Sequence, residues 1–294
     1  TKIVNENLET SDENIEFIGF HGQTIYHNPL EKFSKQKGDG NLLSQLSKKT
    51  VICNFRQNDI KNGGEGAPLV PIFHRLIVKQ KKIELPVCVL NIGGIANITA
   101  ISEYDKDSFL SRDLGPGNCL IDEWIRSNTK NKYDINGKIA KTGNINEIIL
   151  NQALENFDNR SNQNILSFDT KDFSLGFVRG LSNEDGAATL TEFTARIIVA
   201  GLFSFLSKTR DKLWRVLVCG GGRKNITLIG RIKKRTLKNL IIQSIDDYGI
   251  DGDYVESQAF AYLAIRSFLK LPISFPKTTG CKEPISGGVI IKNF

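Results

Sequence analysis

The apolar run Val216-Leu217-Val218-Cys219 ends in three consecutive glycines, Gly220 to Gly222, and gives way to a basic segment opening at Asn225. A short apolar run bounded by glycines reads as a buried strand, and Asn at the head of the next segment suits a helix N-cap. A strand that turns through glycines directly into a helix predicts α/β architecture.

Other parts of the chain repeat the idea. VCVLNIGGIANITAI reads as two alternating β runs joined at Gly93-Gly94, a pair suited to a two-residue hairpin because both positions tolerate positive φ. A strand near Ser108 to Arg112 leads into Asp113-Leu114-Gly115-Pro116-Gly117-Asn118, with Asn118 as N-cap of a helix from about Cys119. Upstream, IEFIGF and TVICNF read as strands, separated by a polar loop and a short helix near Asn41 to Leu46, and Arg56 to Pro71 reads as loop. Ser182 with Asp185 resembles a capping box that opens a long helix to about Leu206. Tyr254 to Lys270 is helical by the periodicity of Val255, Ala259, Phe260, Leu263, Ala264 and Phe268. The expected domains are 85–254 and 1–84, the latter joined by 255–294 returning from the C-terminus.

Composition removes several function classes. With 294 residues, 40% hydrophobic and 24% charged, the chain is long enough for two cores and ordinary for a globular protein. Its net charge of +7 is dispersed. The densest basic runs, Lys79 to Lys82 and Arg231 to Arg235, lack interleaved aromatics and read as solvated helix faces, which argues against nucleic acid. Five cysteines without metal-ligand spacing suit free thiols in a reducing compartment. No apolar stretch approaches the roughly 20 residues of a membrane span, and the opening residues lack a signal-peptide core. The expected location is cytoplasmic.

The candidate site residues fall into three groups. At Gly93-Gly94, backbone N–H groups without side chains could hold phosphate oxygens, or the pair could be an ordinary hairpin turn. At Gly220 to Gly222 a flat base could lie against bare backbone, or the glycines could serve only a tight turn. Neither matches the phosphate-loop or dinucleotide fingerprints. Asp113 precedes a Gly-Pro-Gly turn at the sheet edge where α/β proteins build clefts; it could act in catalysis, bond the turn's own N–H groups, or pair with Arg112 or Arg126. His21 and Gln23 follow one strand, Arg56 and Asp59 another, so all four should emerge at one edge if those strands are parallel. Arg suits bidentate capture of a carboxylate, while Arg56 with Asp59 also reads as a local ion pair. Glu256 near the start of the last helix either serves a site or favours the positive helix end. His27 and His74 receive no role.

The ordered blocks FIGFHGQTIYHNP, NFRQNDIKNGGEGAPLVPIFH, VLNIGGIANITAI, RDLGPGNCLIDEW, TLTEFTA, VCGGGRKN and VESQAFAYLA resemble those of anhydro-N-acetylmuramic acid kinases over nearly the whole chain. The resemblance implies a two-domain actin-like, ribonuclease H-like sugar kinase fold, usually a homodimer, using ATP and Mg²⁺ in a cleft. It implies opening of the 1,6-anhydro ring by water with phosphorylation of O6, a step of peptidoglycan recycling. Asp113 matches the family's base and Glu256 a carboxylate that helps place the water. His21, Gln23, Arg56 and Asp59 match sugar-side blocks. Asn91, Gly93, Gly94 and Asn97 match the second phosphate hairpin, and Gly220, Gly221, Gly222 and Asn225 the adenosine turn. The segment ILSFDTKDF departs from a proline- and lysine-containing family stretch. The family's opening hairpin, of the form GTSxDGxD, has no counterpart, so the first domain is expected to be N-terminally incomplete, with a catalytically inactive remnant as the alternative function.

Overall fold

A computed structural model of the chain describes residues 15–104, 109–161, 168–206 and 212–294. The opening residues 1–14, Ser108 of an expected strand and residues 165–167 of the departing segment lie outside them. In order the elements are β1 (Phe17–Phe20), β2 (Gln23–Asn28), β3 (Phe33–Lys37), α1 (Gly40–Ser47), β4 (Thr50–Cys53), α2 (Gln57–Lys61), α3 (Pro71–Gln80), β5 (Val87–Ile92), β6 (Ile95–Ile101), β7 (Phe109–Pro116), α4 (Cys119–Asn128), α5 (Lys138–Thr142), α6 (Glu147–Ser161), α7 (Asn183–Phe205), β8 (Trp214–Cys219), α8 (Ile226–Arg235), β9 (Leu240–Ser244), α9 (Val255–Phe268), α10 (Pro276–Thr279) and β10 (Val289–Ile291). The chain divides into two compact units, one of Thr1–Gln80, Asp105–Leu110 and Glu256–Phe294, the other of Lys81–Tyr104 and Ser111–Val255.

The second unit is built on a five-stranded sheet of order β7-β6-β5-β8-β9. β6 runs antiparallel to β5, whereas β8 and β9 run parallel to their neighbours and are reached through helices. A strand meander followed by parallel strands on the far side of the first is the arrangement of a ribonuclease H-like sheet, and the chain is α/β as its pattern implies. Alternation carries the core: Cys88, Leu90 and Ile92 of β5, Ala96, Ile98 and Ala100 of β6, and Val216 and Val218 of β8 pack with Ala195, Ile198, Val199 and Leu202 of α7 and Leu228 and Ile232 of α8. Each Leu, Ile or Val among them contributes roughly 1.5–3 kcal/mol by leaving water. Truncating one to Ala would cost about 2–5 kcal/mol.

Helix α7 corrects one expectation. Its 23 residues are long and apolar enough, by length and composition, to cross a membrane. In the fold it is a core helix, buried at every residue from Gly186 to Ala195. It also carries Glu192, 2% exposed, which pairs with Arg196 at 2.9 Å, with Arg231 at 3.8 Å and with Arg235. The basic run on α8 is exposed at Lys233, Lys234 and Arg235, as a solvated face should be, but Arg231 and Arg235 also turn to a buried carboxylate, where an unpaired charge would be strongly destabilising. Ser182 caps α7 by accepting the Asp185 N–H at 3.1 Å, but Asp185 completes no box and instead accepts the Asn144 N–H at 2.7 Å.

In the first unit β1 and β4 are parallel, with β10 antiparallel to β4. Helix α9 packs closely on this sheet because Gly19 has no side chain; a Cβ there would overlap the Phe260 carbonyl. Phe17 meets Phe268 with ring centroids 4.5 Å apart, and Phe55 meets Phe260 at 5.4 Å. The expected polar loop after His21 is a hairpin, β2 with β3. Its polar sequences QTIYHN and FSKQK carry little alternation, which is why pattern reading misses it. The expected loop after Arg56 begins with α2.

Candidate active site residues

In the second unit the two glycine segments, far apart in sequence, become neighbours because β5 and β8 are parallel and adjacent. Asn91 pairs with Cys219, so both strands deliver their glycines to one sheet edge, the edge where α/β proteins bind ligands. The hairpin differs from expectation. Ile92 faces Ala96, leaving three residues in the turn, and neither Gly93 nor Gly94 has positive φ. Their carbonyls instead receive the start of the next helix. Gly94 accepts the Gly117 N–H at 2.9 Å and the Cys119 N–H at 3.2 Å, and Gly93 accepts the Asn118 N–H at 2.7 Å. The hairpin thus takes the N–H groups of Asn118 and Cys119, two of those at the head of α4 that have no partner within the helix. Asn118 does not cap it with its side chain, which donates to the Ile92 carbonyl at 3.1 Å.

The glycines sort by what a side chain would meet. At Gly117 a Cβ would strike the Gly93 carbonyl, at Gly222 the Ile92 side chain, and at Gly220, where φ is +77°, the Asn91 side chain. Packing alone explains these three. At Gly93, Gly94 and Gly221 the nearest atoms lie 3.4–3.9 Å away, ordinary contact or open space. Packing does not require glycine at these three. Asn91 accepts from the Cys219 thiol at 3.8 Å, Asn97 stands opposite it in the register, and Asn225 is the N-cap of α8, accepting the Leu228 N–H at 3.0 Å.

Asp113 lies inside β7 rather than at its end, half-buried, with Oδ2 accepting the Phe168 N–H at 2.8 Å. The glycine after it has a packing reason: a Cβ at Gly115, where φ is +145°, would lie 2.8 Å from Ile197 and 2.9 Å from Phe157. Glycine-rich surroundings therefore do not by themselves mark Asp113 as catalytic. Two features escape sequence reading. Arg223, tied to Asp246 at 2.7 Å and to Asp253 at 2.5 Å, fastens the glycine turn to the loop 246–253. Those bonds to Asp246 and Asp253 hold its pKa above the ordinary guanidinium value and pull both carboxyls below theirs. Asp122, in the first turn of α4, is pushed up to about 6 by burial, against the opposing pull of Arg126.

In the first unit the parallel strands bring His21 and Arg56 together. Arg56 Nε donates to His21 Nε2 at 3.1 Å, and His21 Nδ1 donates to the Gly22 carbonyl at 2.8 Å. Burial, then the Arg56 charge, hold the His21 pKa down at about 4 despite the Gly22 bond. Arg56 also donates to the Gly66 carbonyl at 2.8 Å. Asp59 is 1% exposed and accepts the Gly66 N–H at 2.6 Å and the Thr279 hydroxyl at 2.7 Å. Its oxygens thus serve the fold, and Arg56 and Asp59 share a hold on Gly66. Gln23 is exposed at the start of β2 and does not line the cavity of about 530 Å³ formed by His21, Gly22, Asn54, Gln57, Lys61 and others. Glu256 is exposed in the first turn of α9. His74 is buried, and burial lowers its pKa to about 3.

The family model described as anhydro-N-acetylmuramic acid kinase matches residues 1–293. The anhydro-N-acetylmuramic acid kinase of Pelagibacter ubique is 57% identical over 293 residues, spanning 100% of this chain and 78% of the relative. The enzymes of that name from Zymomonas mobilis and Rhodopseudomonas palustris are 43% and 38% identical, over 94% and 96% of this chain and 73% and 75% of their own lengths. Among solved structures, the activator of the 2-hydroxyisocaproyl-CoA dehydratase from Clostridium difficile with bound ADPNP has a TM-score of 0.37 at 14% identity, covering 67% of this chain and 68% of that one. On the family match and the identity to these relatives, the chain belongs to the anhydro-N-acetylmuramic acid kinase family.

Proposed function

We propose that the protein is an ATP-dependent kinase that opens the 1,6-anhydro ring of anhydro-N-acetylmuramic acid with water and phosphorylates O6, a recycling step for cell-wall sugar. Family membership supplies the reaction. The structural observation that supports it most is the row of open glycines, Gly93, Gly94 and Gly221, at one sheet edge, where neighbouring glycines are already explained by packing. We assign nucleotide binding to domain 85–254 and sugar binding to 1–84 with 255–294.

Asp113 would take a proton from the water that adds to the anomeric carbon. The bond from that carbon to O6 breaks, and O6 accepts the γ-phosphoryl group. Glu256 is the second carboxylate in this reading. Gly93, Gly94, Asn91 and Asn97 would present phosphate contacts, while Gly221 offers bare backbone to the base. Gly220, Gly222 and Asn225 hold that turn in place. His21, Gln23 and Arg56 would contact the sugar, and Asp59 supports Arg56 through Gly66. Mg²⁺, when bound with ATP, neutralises phosphate charge. Among the described residues no three His, Cys, Asp or Glu side chains gather into a metal site.

We further assign the protein to the cytoplasm as a homodimer. The five free thiols support a reducing compartment. The reaction is tested by incubating protein, ATP and anhydro sugar in ¹⁸O-water. One labelled oxygen at the anomeric carbon of a 6-phosphorylated sugar supports the proposal. Phosphorylation without ring opening, or no ATP consumption, contradicts it.

A further inference from the structure

The segment that departs from the family pattern touches both halves of the second unit's candidate site. Phe168 N–H bonds Asp113, while the Thr170 methyl carbon lies 3.4 Å from where a Gly94 Cβ would stand. Residues 168–173 are firmly built. Asp172 accepts the Asp169 N–H at 2.7 Å and Asp169 accepts the Lys171 N–H at 3.0 Å, a reciprocal cap on one short turn. The Phe168 ring packs 5.6 Å from Phe173 and 6.0 Å from Phe157, and Phe173 stacks on Phe157 at 6.3 Å.

We propose that the backbone N–H of Phe168 is a positioning group for the Asp113 carboxylate, with the aromatic cluster holding that N–H in place. The inference rests on the reading of Asp113 as the base. A half-buried aspartate has rotamer freedom, and a base must stand within hydrogen-bond reach of the proton it takes. A bond to one carboxylate oxygen from a fixed amide removes that freedom before substrate arrives. Misplacement by about 1 Å is enough to cost on the order of 10²-fold in rate. The side chain of Phe168 then matters only as an anchor, which separates this role from a purely structural one.

The test replaces Phe168 by phenyllactate through nonsense suppression, which exchanges the N–H for an ester oxygen and keeps the ring. Phe168→Leu keeps the N–H and shortens the anchor. The expected result is a kcat roughly 10-fold or more below wild type for the ester, with KM for sugar and ATP within about 2-fold, and a kcat for Phe168→Leu that is also lowered, to a value between wild type and the ester. An ester protein with wild-type kcat overturns the proposal. So does an ester protein whose KM for sugar or ATP rises as much as its kcat falls, the mark of a general structural disruption. Asp113→Asn measured alongside separates the two readings. If it turns over normally the base assignment itself fails, whereas an inactive Asp113→Asn beside an unaffected ester removes only the role of Phe168.

Discussion

Arg56 and Asp59 grip the same residue from opposite sides: Arg56 donates to the Gly66 carbonyl at 2.8 Å, and Asp59 accepts the Gly66 N–H at 2.6 Å. The arrangement fixes the loop that follows α2 and sets the guanidinium whose Nε faces His21. Side chains three residues apart on a short helix thus act as one clamp.

Asp59→Ala should therefore be a stability mutant first. It strands the buried N–H of Gly66 and removes the nearer partner of the Thr279 hydroxyl, each costing roughly 1–3 kcal/mol, for a total of about 2–6 kcal/mol. Urea unfolding at neutral pH measures it. A loss under about 0.5 kcal/mol, the range of ordinary surface substitutions, would contradict the clamp.

Stability should fall on mild acidification. The folded-state pKa of His21, about 4, lies below its ordinary 6.5, so between these values the unfolded chain binds the extra proton. The contribution of His21 is complete above about 6.5 and is lost as pH falls toward 4. His74, lowered to about 3, acts in the same direction. Asp246, held below its ordinary value by Arg223, adds to the loss at lower pH. Unfolding midpoints between pH 7 and 4.5 should decline, and His21→Asn should flatten part of that decline. A flat or rising profile would contradict the neutral, buried histidine.

Two adjacent glycines should respond differently to valine. Gly221→Val enters open space, so the protein should keep its melting temperature and its sugar affinity while losing ATP affinity. Gly222→Val collides with Ile92 in the core and should unfold the protein or lower its melting temperature markedly. Calorimetry with each ligand and a thermal scan check both. Unchanged ATP affinity in Gly221→Val would take that residue out of the nucleotide site.

Much of this is legible in the residues. The strands ending at Cys53, Ile92 and Cys219 stand out as apolar runs, and Asn54, Gly93 and Gly220 mark where they stop. The meeting of His21 with Arg56 follows once the two strands are read as parallel. Other features depend on distance in space. Nothing local signals that the Gly93 and Gly94 carbonyls cap α4, or that Gly115 and Gly117 are glycine for packing reasons. The buried Glu192 beneath Arg231 and Arg235 is equally silent, because a charge on an apolar helix shows its partners only after folding. The hairpin β2–β3 escapes pattern reading because its strands are polar and mostly exposed.

The most direct measurement is single-turnover phosphorylation of the anhydro sugar by Asp113→Asn, with calorimetric binding of sugar and ATP on the same preparation. The amide keeps the shape of the carboxylate and, by rotating its oxygen into place, the ability to accept the Phe168 N–H, but it is not basic enough to take a proton from water. The account predicts near wild-type affinities with turnover lowered by about 10² to 10⁴-fold, the usual contribution of a general base. Turnover within a few-fold of wild type, with both ligands bound normally, would contradict it.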